Sequence, residues 1–356
     1  MLEHRPSEGI VMRPNARIAF RSSIAIIAGA AGVAVFAQST ISGNRPETGS
    51  YMANQRLSGT LFIHTLDDRG SEPQWASAAG GGASGSGWLR AEGEGMKSIN
   101  GTGAFNADSN AWLIQGGGEL YRNSLAAAGG VHLGVLGGFA GGRTDGTVVG
   151  SPYTARGDTS GFGTGMYAAW FQNDGSRLGW YTDVWGQFAW FKNKLAATYI
   201  QQSDYDSHVF LASVEAGYAM RLSSDWLLAP QGQFLYTHNH TYNFTESDGT
   251  DVQGAHRSGW MSRLGFRVQR AAGEEVNGYR VQPYGAVNWW HDRVNDEGVF
   301  NGVSTRDMYP SDRFEIKAGV AIDANRRWSG WGDLAYQTGS QSFRAWTMRA
   351  GGKYVW

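Results

Sequence analysis

From about residue 85 to the final Trp356 the sequence is written in alternating runs, apolar against polar, punctuated by turn residues. Side chains two apart share one face of a strand, so each run is a strand with one greasy side and one wet side. LGWYTDVWGQFAWF sets Leu178, Trp180, Val184, Phe188 and Trp190 against Asp183 and Gln187. GWMSRLGFRVQR sets Trp260, Leu264, Phe266 and Val268 against Arg263 and Arg267. RFEIKAGVAIDAN sets Phe314, Ile316, Ala318, Val320 and Ile322 against Glu315, Lys317 and Asp323. GWLRAEGEGMK carries Arg90, Glu92 and Glu94 on one parity, and AWLIQGGGELYR opposes Gln115 and Glu119 to Trp112, Ile114 and Leu120. Twelve such strands are expected, most of about 10 to 14 residues, a length that suits tilted membrane strands.

The connections fall near 98–108, 123–129, 143–156, 174–176, 193–206, 223–225, 241–257, 271–278, 292–311, 324–327 and 339–341. Odd-numbered connections are long and even-numbered ones short, apart from the last. A soluble sandwich has no reason to alternate in this way, whereas an outer-membrane barrel has short periplasmic turns and long external loops. The expected fold is all-β: a 12-stranded antiparallel transmembrane β-barrel of the outer membrane over residues 86–356. Its apolar parity meets lipid and its polar parity lines a hydrated bore, since Arg or Lys on the lipid face at mid-depth costs about 2–4 kcal/mol. The candidate lumen residues are Arg90, Glu92, Glu94, Glu119, Asp183, Glu215, Arg263, Arg267, Glu315, Lys317, Arg349 and Lys353. The chain ends FRAWTMRAGGKYVW, alternating to its last residue. This ending reads as the seam that pairs with the first strand, because an open edge cannot stand in hydrocarbon.

Composition points the same way. The chain has 52 Gly and 46 aromatic residues (15 Trp, 15 Tyr and 16 Phe). Disordered chains are poor in aromatics, while strands with one apolar face and interfacial girdles are rich in them. A net charge of −1 argues against an electrostatic nucleic-acid binder. The absence of cysteine excludes thiolate metal sites, disulfides and cysteine nucleophiles.

The long apolar run IAIIAGAAGVAVFA, residues 24–37, has 14 residues, short of the roughly 20 a membrane helix needs. It follows the basic RPNARIAFR and ends in Val35-x-Ala37, so residues 1–37 are expected to be a secretory signal peptide, with Met12 an alternative start. Residues 38–85 are expected to hold a short leading piece, a helix over about 44–70 and the flexible linker AAGGGASGSG. Asn44 with Glu47 three residues on reads as a capping box, Pro46 lies in the first turn and Gly70 can serve as a stop.

Over residues 44–356 the sequence resembles the translocator unit of autotransporters, the type V secretion proteins of Gram-negative bacteria. The resemblance rests on RPETGSYMANQ and HTLDDRGSE ahead of the barrel, WLRAEGE at its opening, SVEAGYAMRL and WLLAPQGQF in mid-barrel, and the terminal aromatic. It implies that the helix threads the barrel lumen, and that a passenger N-terminal to it is carried to the cell surface. It implies outer-membrane lipid, periplasmic chaperones and the barrel-assembly machinery as partners of a monomer, with Tyr354 and Trp356 as the C-terminal assembly signal. The helix partners expected to dock on lumen charges are Arg56, His64, Asp67, Asp68 and Arg69. Between Ala37 and the helix there is room for only a handful of residues, so the passenger is expected to be very short or missing. The alternative is a channel or an adhesin working through its long loops.

Enzymatic readings are weak. His238-Asn239-His240 reads as solvated rim residues, and GFGTGM and GVLGGFAGG read as glycines beneath aromatics in a barrel wall, since neither opens a strand-turn-helix unit. Ser207-His208 and Ser258 with His256 are the only hints of a hydrolase. Asn54 could be a self-cleavage site activated by Glu94, Asp183, Glu215 and Arg263, but the double asparagine of self-cleaving members is missing. No cofactor and no metal is expected.

Overall fold

The computed structural model describes residues 45–70, 85–124, 129–254, 256–271, 274–276, 279–294, 297–324 and 327–356. The expected signal peptide, Asn44 and most of the Gly/Ser linker lie outside these residues. The wall strands are β1 (Ser86–Ile99), β2 (Phe105–Ser124), β3 (Gly130–Val148), β4 (Thr154–Phe171), β5 (Gly179–Ala197), β6 (Ile200–Arg221), β7 (Trp226–Thr241), β10 (His256–Arg270), β12 (Tyr279–Val294), β15 (Asp312–Asp323), β16 (Trp328–Gly339) and β17 (Arg344–Val355). Each pairs antiparallel with its neighbours, β10 pairs with β12, and β17 pairs back onto β1. Twelve strands thus close into a barrel without an edge. The seam runs from Ser86 opposite Val355 to Lys97 opposite Arg344, and Trp356 adds a backbone N–H donated to the Gly85 carbonyl at 3.2 Å.

The parities fall as the alternation predicts. Trp180, Phe266, Phe314, Trp346 and Met348 lie exposed on the outer face, while Asp183, Gln187, Arg263, Arg267 and Glu315 are buried inside. Tyr354 packs on Trp328 with ring centroids 4.6 Å apart, beside the exposed Trp356.

Two expectations need correction. The wall strands run from 12 to 22 residues, longer than expected. Polar stretches read as loops near 143–156 and 193–206 instead continue the ladders, leaving only two residues between β5 and β6. Charges in these extensions lie opposite one another across strands, as in Lys97–Asp108 (2.6 Å), Arg143–Asp158 (2.7 Å) and Arg156–Asp145 (3.1 Å), so a charged sequence remains compatible with pairing. Among the described residues, long connections remain between β7 and β10 and between β12 and β15, where β8 (Phe244–Thr245), β9 (Asp251–Gln253), β13 (Glu297–Phe300) and β14 (Val303–Arg306) form a small separate sheet. We call this the loop end of the barrel. The opposite, terminal end carries Ser86, Val355 and β11 (Glu274–Val276), which pairs with the start of β12.

The second correction concerns the leading helix. It covers only α1 (Pro46–Thr60), about 22 Å at 1.5 Å per residue. Residues 61–66 leave the helical path and a short 3-10 turn, Asp67–Arg69, follows; Gly70 ends that turn with φ +68°. Asn44 of the expected capping box lies outside the described residues; Arg45 stands at the N-cap without a side-chain capping bond, and Glu47 accepts from the Tyr199 hydroxyl. Gly59 weakens the last turn, and wall side chains take the carbonyls that a longer helix would have used.

Glycine has a definite use in the wall. Tyr167 lies on Gly134, Phe191 on Gly161, Tyr181 on Gly217 and Tyr284 on Gly319, each directly opposite its glycine on the next strand. A Cβ at any of the four would come within 2.5 Å of ring or neighbouring backbone atoms. Gly134 and Gly161 belong to GVLGGFAGG and GFGTGM, so wall packing accounts for both motifs. Gly134→Val is therefore expected to lose about 1–3 kcal/mol by overpacking. Adding Tyr167→Ala should recover part of that loss, read by urea unfolding in micelles with tryptophan fluorescence.

Candidate functional site

The helix α1 has no apolar stripe, yet residues 46–59 are all buried. A helix polar on most sides is stable only where partners surround it, and here they come from the barrel wall. On one side α1 meets a glycine track. Added Cβ atoms would lie 2.8 Å from Leu57 at Gly142, 2.5 Å from Ser50 at Gly146 and 2.7 Å from Asn54 at Gly157. Tyr51 packs among Tyr205, Phe244 and Phe300 with ring centroids 5.6–6.0 Å away. Asn239 donates to the Gln55 carbonyl (3.2 Å) and to Ser58 (2.8 Å), and Arg56 pairs with Asp292 at 2.5 Å. Asn54 donates to the carbonyls of Asp158 (3.3 Å) and Lys194 (3.1 Å) and to the Tyr205 hydroxyl (3.1 Å). Asp183 pairs with Arg69 and Glu215 accepts from the Leu66 N–H, both past the helix, and Arg263 bonds to wall residues, so none of the three is placed to activate Asn54.

Beyond α1 the wall hydrogen-bonds directly to the main chain. Gln187 donates to the Phe62 carbonyl (3.0 Å), while Gln233 (2.9 Å) and Trp185 (3.2 Å) donate to the His64 carbonyl. Arg90 reaches the Ile63 carbonyl at 3.4 Å, and Glu215 accepts from the Leu66 N–H at 3.2 Å. His64 makes no carboxylate pair; its ring stacks on Trp185 at 4.4 Å.

The 3-10 turn is the charged end. Asp67 pairs with Arg267 at 2.7 Å, Asp68 with Lys317 at 3.3 Å and Arg349 at 4.0 Å, and Arg69 with Asp183. Asp68 also accepts from the Thr65 N–H and hydroxyl at 2.9 Å, which shapes the turn. Arg349 bridges onward to Glu92 (3.1 Å) and Asp333 (3.0 Å), and Arg263 joins Glu215 (3.2 Å).

Other sequence candidates are placed differently. Glu119 binds Ser86 (2.7 Å) and His132 (2.5 Å) near the terminal end, and Glu315 accepts from Asn288 and Gln337 at 2.7 Å. Glu94 is half-buried on the inner face. Lys353 lines a small cavity with Asp67, Arg69 and Gly70. Gln187 already stood on the polar parity, while the neutral partners Gln231, Gln233, Asn239 and Trp185 carry no charge to single them out. Their inward parity could have found them.

Arg45 fastens the other end of α1. Its guanidinium meets Glu47 and Thr250, and pairs with Glu246 at 2.5 Å and Asp248 at 3.1 Å in the loop between β8 and β9. One cation cannot balance three carboxylates. Burial pushes the Glu246 carboxyl up to about 8, with Glu47 and Asp248 adding to the rise and Arg45 opposing it.

Two predictions follow from these contacts. The Asp183 carboxylate is fully buried, so Arg69→Ala should cost about 3–5 kcal/mol by stranding a charge. Arg69→Ala with Asp183→Asn should lie nearer the wild type in urea unfolding. At the mouth, a carboxyl raised from 4.5 to about 8 binds its proton more tightly in the closed arrangement. That contribution is complete below the ordinary carboxylate value and is lost as pH rises through about 8. Bilayer recordings at pH 6 and pH 9 should show more open events at the higher value, and Glu246→Gln should flatten the difference.

Comparison with known proteins agrees with this architecture. The family model "Autotransporter beta-domain" matches residues 87–335. The Escherichia coli K12 protein YdeU is 32% identical over 334 residues, covering 88% of this chain and 70% of that protein. The Escherichia coli autotransporter adhesin AIDA-I is 26% identical over 331 residues, covering 87% of this chain, which spans only 25% of AIDA-I. The crystal structure of the AIDA-I transport unit superposes with a TM-score of 0.77 at 25% identity, covering 88% of this chain and all of that one.

Proposed function

We propose that this chain, which belongs to the autotransporter β-domain family and is an outer-membrane translocation unit, provides a hydrated path for an N-terminal passenger and is then closed by its own segment 46–70. The observation that carries this reading is the burial of α1 along its length inside the barrel, with its N-terminus at the loop end and Gly70 at the terminal end. A passenger preceding Arg45 would then lie on the loop side, which we assign to the cell surface.

Several roles follow as parts of the same proposal. Residues 1–37 serve as the signal for inner-membrane export. Tyr354 and Trp356 present the last strand to the barrel-assembly machinery by strand addition. Asp67, Asp68 and Arg69 dock on Arg267, Lys317, Arg349 and Asp183, fixing the plug's depth. The barrel acts as a monomer, since its ring of strands is complete in one chain. The work is physical: a hydrogen-bonded wall excludes lipid, and a fitted segment excludes ions.

Single-channel conductance in planar bilayers tests this. The mature chain should conduct weakly, and a chain lacking residues 38–70 should show a large increase. Equal and large conductance in both would overturn the plug and favour a porin.

A further inference from the structure

The outer face of the wall carries a row of aromatic rings toward the loop end. Phe139 lies opposite Phe162, Phe162 opposite Trp190, and Trp190 opposite His208. The row then continues with His208 opposite His240 on β6 and β7, and the register sets His256 of β10 opposite His240. Such a row is expected at a membrane interface, but the change from aromatic to imidazole is not explained by lipid anchoring. Two imidazoles in contact repel when protonated and offer lipid less apolar surface than the rings they follow.

The geometry of the pair suggests another use. The rings of His208 and His240 have centroids 4.9 Å apart and planes at 38°. A metal about 2.0–2.1 Å from one nitrogen of each ring, at a tetrahedral angle, would separate the centroids by about 5 Å. Tyr242 stands over the pair, 4.8 Å from His240 and 5.9 Å from His208, and Phe188 stacks on His208 at 5.7 Å. These neighbours restrict how far the imidazoles can turn away. Both histidines are half-buried, within reach of ions from the aqueous side of the interface. No group of three or more His, Asp or Glu side chains arranged to hold a metal occurs among the described residues. Two imidazoles on adjacent strands can hold an ion as a chelating pair.

We propose that His208 and His240 form a two-histidine site for a divalent transition metal, Zn²⁺, Ni²⁺ or Cu²⁺, that clips β6 to β7 on the outer face. Neutral imidazole suits these ions, and a clip between adjacent strands requires no change in their register. The site is separate from the plug, so its failure would leave the translocator reading untouched.

The test is metal titration of the untagged full chain, folded in a zwitterionic detergent, against a competing chromophoric indicator. One ion should bind per chain at pH 7.5. His208→Ala and His240→Ala should each weaken binding at least about tenfold, while His291→Ala on β12 should leave it unchanged. Heat-modifiable gel mobility confirms that each variant has folded, and His240→Gln provides a milder second variant. Absence of saturable binding by the wild type, or binding untouched by both alanine variants, would overturn the site.

Discussion

The backbone ladder between β1 and β17 is the constraint on which the remaining structure depends. In hydrocarbon an unpaired N–H or carbonyl costs several kcal/mol, so a sheet that crosses a membrane must have no edge. Twelve consecutive residue pairs, from Ser86–Val355 to Lys97–Arg344, remove both edges at once. Closure then fixes which parity faces inward on every strand, because a slip of one residue would turn all the charged positions toward lipid. It also explains why the alternation continues to Trp356. The last residues belong to the wall, and the Trp356 N–H still finds an acceptor in Gly85.

A closed wall of twelve strands encloses more space than its own side chains can fill. The surplus is taken up by α1, whose diameter of roughly 10–12 Å suits a bore of this class. The fit is achieved differently at different depths. Toward the loop end, glycines on β3 and β4 let the helix backbone approach, and Tyr51, Leu57 and Phe62 bury apolar surface. Toward the terminal end the helix gives way to an extended segment, and ions and amides from six or more strands close around it. The helix stops where the wall begins to supply its own donors to main-chain carbonyls.

Most of the wall was legible in the sequence, because period-two alternation is a local property. Arg263, Arg267, Glu315 and Lys317 could be set inward from their neighbours alone, and the structure has all four on the inner face. The ends of the strands were less legible. Arg143 and Asp158 look like loop residues until their partnership across β3 and β4 is known, and that partnership is not local. The helix boundary failed for the same reason. Gly70 does stop a helical turn, but the break after Thr60 depends on Gln187, Gln233 and Trp185, which lie more than a hundred residues away. Asn239, read with its histidine neighbours as a solvated rim residue, is instead fully buried against α1; it carries no charge, although its parity marked it as inward.

The character of the terminal-end contacts bears on what they can accomplish. Buried ion pairs contribute little net stability, because desolvation offsets much of the attraction, yet breaking one partner is costly. A segment held only by apolar surface could slide along a smooth bore at little cost. Asp67–Arg267, Asp68–Lys317 and Arg69–Asp183 come from three consecutive residues and reach three different parts of the wall. An axial shift of one helical turn, about 5.4 Å, would break all three together and strand six charges. On the function proposed above, these pairs determine depth more than affinity. A segment moving through the bore meets a steep minimum only where every pair can form, and that is where a plug has to stop.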